Sequence, residues 1–138
     1  MAHDTLSGVT VLSGDPSAAN AEAETWHFDF RVPGWIQAKP VQGPQEMDHG
    51  FLCPVETLGG LLLLGFEPGH RNRPSTWLYR PQSETWTLLR AGASPPDFPL
   101  DHGQVASDGQ HFYLLAGFNP GLPSGGPGVF PRGSMWRY

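Results

Sequence analysis

Two Asp-His-Gly triplets are the first residues in this chain with chemistry to offer: Asp48-His49-Gly50 and Asp101-His102-Gly103. An imidazole beside a carboxylate is the usual makeup of a general base. A base needs a nucleophile or an activated water to act on. No G-x-S-x-G elbow occurs, and the one cysteine, Cys53, lies in the apolar stretch FLCPV, where a buried, inert thiol is expected. A metal would be the other use of these residues. The six histidines are His3, His27, His49, His70, His102 and His111, and none of them falls at H-x3-H spacing. No C-x2-C pair and no D-x-D-G calcium pattern is present, so no metal and no cofactor is expected. The two triplets also recur 53 residues apart, and a residue set that repeats within a chain is usually there for the fold. Asp48, His49, Asp101 and His102 are therefore expected to be structural, with the Asp carboxylates bonding nearby backbone N–H groups in turns.

The tryptophans raise the same question. Trp26 and Trp35 stand nine residues apart, as do Trp77 and Trp86. Exposed, they would stack sugars; packed between elements, they would each bury on the order of 200 Å². Their regular spacing points to packing. The segments between repeated markers do vary: 17–24 is acidic, 69–75 holds His70, Arg71 and Arg73, and 121–134 holds Phe130 and Arg132. Arginine with an exposed aromatic is the residue mix of interface anchors. His70, Arg71, Arg73, Phe130 and Arg132 are candidate partner-binding residues for that reason, together with Trp136 and Tyr138 in the last segment.

Composition narrows the classes. The chain has 138 residues, enough for a single domain. Gly and Pro are abundant (18 and 15), but 16 aromatic residues supply a core and argue against disorder. Thirteen acids against eight bases, seven of them Arg, give a net charge of −5. No basic stripe exists, which disfavours nucleic acid and an anionic membrane surface. No apolar run is long enough for a membrane-spanning helix, and the first residues, MAHDTLSG, do not read as a secretory signal. A cytoplasmic location is the expectation.

The elements that must position these residues repeat. Asp15-Pro16, Glu67-Pro68 and Asn119-Pro120 are 52 residues apart, and each follows an apolar run: VTVLSG, LLLLGF and FYLLAGF. Each unit reads as short strands separated by turn-rich segments. One strand follows Asp-His-Gly (FLCPV, QVAS). The next is the apolar run, whose consecutive apolar residues predict burial on both faces. A third opens at the first Trp (WHFDF, WLYR), and a fourth at the second Trp (WIQA, WTLLR). No helix is expected, because proline recurs throughout and stretches such as SAANAEAE are short and uncapped.

A repeat of about 52 residues with four strands resembles a kelch-type β-propeller blade. The resemblance rests on the apolar strand ending at Ser13-Gly14, Gly65-Phe66 and Gly117-Phe118, and on the later Trp at Trp35 and Trp86. The Gly pair of the family is reduced to one Gly in each copy. The resemblance implies an all-β, partial propeller of four-stranded antiparallel blades. Residues 1–47 would form an incomplete blade, 48–100 a complete one and 101–138 an incomplete one, ten strands in all. Some kelch propellers are copper radical oxidases, but three tyrosines and a strand-borne Cys53 do not fit that chemistry. Two and a half blades do not close a ring of four to eight. The expected function is therefore non-enzymatic: a protein-interaction or structural module, completed by self-association as a homo-oligomer or by docking in a larger complex. Met135 and Tyr138 at one end, and Val9 and Val11 at the other, are expected near those contacts. The alternatives are a lectin-like propeller that binds a small ligand or carbohydrate, and an enzyme on a propeller scaffold.

Overall fold

Four consecutive leucines, Leu61–Leu64, set the centre of the molecule. An extended strand turns successive side chains to opposite faces, so such a run is stable only where both faces are covered. The computed structural model, which describes residues 1–14, 23–45, 48–66, 74–90, 104–115 and 135–137, places all four leucines at 8% exposure or less.

The described residues are all-β, in three antiparallel sheets. The first is β1 (Ala2–Asp4), β2 (Val9–Gly14), β3 (Glu24–Asp29) and β4 (Val32–Ala38), in that order. The second is β5 (Asp48–Val55), β6 (Gly60–Phe66), β7 (Pro74–Arg80) and β8 (Thr85–Arg90). The third has β9 (Gln104–Ser107), β10 (Phe112–Leu115) and β11 (Met135–Arg137), with β10 in the middle. Helix is limited to a single 3-10 turn over Glu56–Leu58 among the described residues, and no helix there is long and apolar enough to cross a membrane.

The leading strands β1, β5 and β9 lie side by side in that order, and the sheets stack outward from them. The second sheet is the filling. Leu52, Leu61, Leu63, Tyr79 and Trp86 face the first sheet and enclose Val11. Cys53, Val55, Leu62, Leu64 and Leu78 face the third, against Phe112 and Leu114. Gly60 is required by close approach: a Cβ there would sit 2.1 Å from the Tyr79 carbonyl oxygen.

The first unit corrects the sequence reading, which gave it three strands and so called 1–47 incomplete. Ala2–Asp4 forms a fourth strand, pairing Ala2 with Val11 and Asp4 with Val9. Three residues carry no visible alternation; the strand is fixed by its turn. There the buried Asp4 carboxylate accepts from the Ser7 backbone N–H at 3.0 Å and from the Ser7 hydroxyl, and Gly8 supplies a φ of +74°. The described strands thus number eleven. A second difference concerns Asp48 and His49. They lie within β5 rather than in a turn before it, with Asp48 opposite Phe66 and a register shift before Phe51. Third, Val9 and Val11 are not at an open end. The period of β2 turns them toward the second sheet, and Val11 is fully buried.

Candidate functional surface

Strand alternation decides which side chains of the first sheet meet the second sheet. The cross-strand row Ala2–Val11–His27–Ile36 belongs to the inner face, as do Thr25 and Ala38. The next row, His3–Thr10–Phe28–Trp35, points the other way, with Leu12, Trp26 and Gln37 beside it.

That outward face is an aromatic surface with no sheet over it among the described residues. Phe28 and Trp35 stack at 5.3 Å between ring centroids, and Phe30 sets its ring edge-on to Phe28 at 5.0 Å. His3 meets Phe30 at 6.0 Å, and its Nδ1 is 3.1 Å from the Thr10 hydroxyl. Trp26 Nε1–H donates to Glu24 Oε2 at 2.9 Å. Phe30 is 67% exposed and Trp35 45%. On the same edge strand Val32 is exposed as well, and so is Ile36 on the strand's other face. The tight β3–β4 connection that carries Phe30 is held by Asp29, whose carboxylate takes the Arg31 guanidinium at 2.8 Å and the Arg31 backbone N–H at 2.8 Å. The side-chain bond from Arg31 is the main reason that the Asp29 carboxyl titrates below its ordinary value.

The second sheet repeats the pair and hides it. Tyr79 and Trp86 are cross-strand partners like Phe28 and Trp35, 51 residues further along, and their rings lie 4.6 Å apart. Both are buried. The inner face of the first sheet covers them: Trp86 Nε1–H donates to Thr25 Oγ1 at 2.9 Å, and Tyr79 Oη lies 2.7 Å from His27 Nε2. Burial pushes the Tyr79 phenol up, with Glu84 adding to it, and burial pulls the His27 imidazole down against the opposing pull of Glu84. Gly43, in the β4–β5 connection, closes over the Trp86 ring.

The four tryptophans expected to pack alike therefore differ. Trp86 is buried, Trp26 and Trp77 are half-buried, and Trp35 is exposed, its sheet having no neighbouring sheet on that side among the described residues. Trp77 buries its ring N–H without a hydrogen-bond partner among the described residues. Trp136 stands on β11 opposite Leu114, and Met135 opposite Leu115. His70, Arg71, Arg73, Phe130, Arg132, Tyr138, Asp101 and His102 lie outside the described residues. Cys53 is buried, and burial pushes its thiol up, away from reactivity.

Phe28, Phe30, His3 and the His27–Tyr79 contact are missing from the sequence reading. A signal for part of this exists: Phe28 and Tyr79 each stand two residues after the first Trp of their unit, hence on its face of the strand. The cross-sheet contact leaves no such trace. Among the described residues no three His, Cys, Asp or Glu side chains converge on one point. What the described residues do present is an apolar, aromatic surface on the outward face of the first sheet. No family model matches the chain, and no curated protein or solved structure matches it at a significant level.

Proposed function

We propose that the chain is a non-enzymatic protein-interaction module, a kelch-like arc of propeller blades that uses its first sheet to take up another protein. One observation carries this reading. The Phe28–Trp35 pair has no sheet over it among the described residues and leaves Trp35 exposed, where the position-matched Tyr79–Trp86 pair is covered by a sheet. A contiguous exposed apolar patch of this kind marks an interaction surface. Its tryptophan and phenylalanines are residue types that carry binding energy at interfaces. The edge strand β4 contains Pro33, which withholds a backbone donor and discourages indiscriminate strand addition. The face, rather than the edge, is then the contact. A single buried thiol at Cys53 suits a reducing, cytoplasmic setting.

The test compares the wild type with Trp35→Asp, a surface substitution that leaves the core intact. The wild type should show a mass above one chain in solution, or retain a protein partner saturably, and Trp35→Asp should abolish either without altering the circular dichroism spectrum. A wild type that stays a single chain and retains the same proteins as the variant would defeat the reading. Binding to a glycan panel that disappears with Trp35→Asp would replace it with the lectin-like alternative.

A further inference from the structure

Resting on that reading, we infer that the occupant of the aromatic face is the third sheet of a second copy of this chain, docked head to tail in a closed two-fold pair. The molecule already shows what covers such a face. Over Tyr79 and Trp86 lies the opposite face of a like sheet, which presents Thr25 and His27 from its third strand. One further face of that kind is open among the described residues, the outer side of the third sheet. There Ala106, Tyr113 and Arg137 form one cross-strand row. It corresponds to Ala2–Val11–His27 in the first sheet and Cys53–Leu62–Leu78 in the second, with Val11, Leu62 and Tyr113 successively 51 residues apart. Ala106 and Arg137 are exposed.

The side chains suit each other. Arg137 holds the register position that His27 holds on the covering face. Tyr79 has a hydroxyl, and His27 meets it. Phe28, at the matching position, has none, so its partner needs no hydrogen-bonding imidazole. A guanidinium over the Phe28 and Trp35 rings is a cation–π contact, and arginine is the residue most often used for one. Glu24, bonded to Trp26 on the same face, adds an opposite charge nearby.

Area favours closure. The smaller of the two faces, the three described strands of the third sheet at three or four residues each, covers roughly 200 Å² in projection, from strand spacing and rise. A standard stable interface takes about 800 Å² per partner. One such contact falls far short, whereas a closed pair uses two faces of each copy and doubles the contact. Closure by two-fold rotation also prevents open-ended growth of a head-to-tail contact.

The experiment uses the full chain with one thiol placed on each of the two faces. Leu12→Cys lies on the exposed first-sheet face and Ala106→Cys on the third-sheet face, at the positions that Leu63 and Ala2 hold where the second sheet meets the first. The two variants are mixed with a short bismaleimide, and the wild type, whose Cys53 is buried, is the control. Cross-linked Leu12→Cys/Ala106→Cys pairs are expected, along with a two-chain mass by light scattering. Arg137→Glu should weaken that association at least tenfold, and Arg137→Lys less. Cross-links of Leu12→Cys only to itself would overturn the head-to-tail inference and keep the interaction reading. A wild type that remains a single chain would overturn the second-copy inference. Trp35-dependent retention of a different protein would then preserve the interaction reading, and its absence would defeat both.

Discussion

Phe28–Trp35 in the first sheet and Tyr79–Trp86 in the second sit at the same register positions, and they meet opposite fates. Trp86 is 2% exposed and Trp35 45%. The residue types are nearly the same and both pairs lie directly opposite across antiparallel strands, so neither propensity nor alternation accounts for the difference. The neighbour does. Tyr79 and Trp86 carry polar atoms that burial would penalise, and the covering sheet answers both, with His27 and Thr25. Around Phe28 and Trp35 two polar pairs close within the same sheet, Trp26–Glu24 and His3–Thr10. Those groups need nothing from a partner when the face trades water for another apolar surface.

Trp86→Ala should break the covered side most severely, costing about 3–5 kcal/mol for a buried aromatic truncated in a core, as a lower urea midpoint at unchanged chain mass. Gly60→Ala comes next. Its Cβ would collide with the Tyr79 carbonyl oxygen, which is backbone and cannot rotate away. The loss should be about 3 kcal/mol, within the range of severe backbone and overpacking effects.

The His27 contact predicts a smaller, pH-dependent effect. Burial lowers the imidazole from its ordinary value of 6.5 in the folded chain, so the unfolded chain binds the proton more readily. Stability is therefore fully present above about pH 6.5 and declines as pH falls from there toward the folded value. Urea midpoints of the wild type should drop through that window, and those of His27→Asn should stay flatter. An unchanged slope would remove His27 as the group responsible. Smallest of all, Trp35→Ala should shift the urea midpoint of the dilute single chain by no more than about 0.5 kcal/mol, the range of surface substitutions. A loss as large as that of Trp86→Ala would abolish the contrast between the two sheets.

Much of the fold was legible. The leucine run at Leu61–Leu64 implied a strand covered on both sides, and the Trp spacing located β3, β4, β7 and β8. Pattern reports which residues share a face but not what stands opposite it. That is why Trp35 and Trp86 read alike, and why Val9 and Val11 were expected at an open end although they pack inward. β1 was invisible for a different reason: Ala2–Asp4 is too short to show a period, and its turn is made by Asp4, Ser7 and Gly8 acting together. The His27–Tyr79 bond spans 52 residues and depends on how sheets stack, which no local window contains.

The filling position of the second sheet has a consequence for how the chain comes apart. Within each sheet, neighbouring strands are also neighbours in sequence, so pairing closes short loops and is fast. The apolar clusters, by contrast, exist only between sheets. Such a chain behaves as a short linear array in which each unit borrows stability from the next. Removing an end unit then strips one whole cluster from the middle unit. Loss of the first sheet would leave Tyr79 and Trp86 bare and unbonded, so a cut near residue 45 should melt two units and not one.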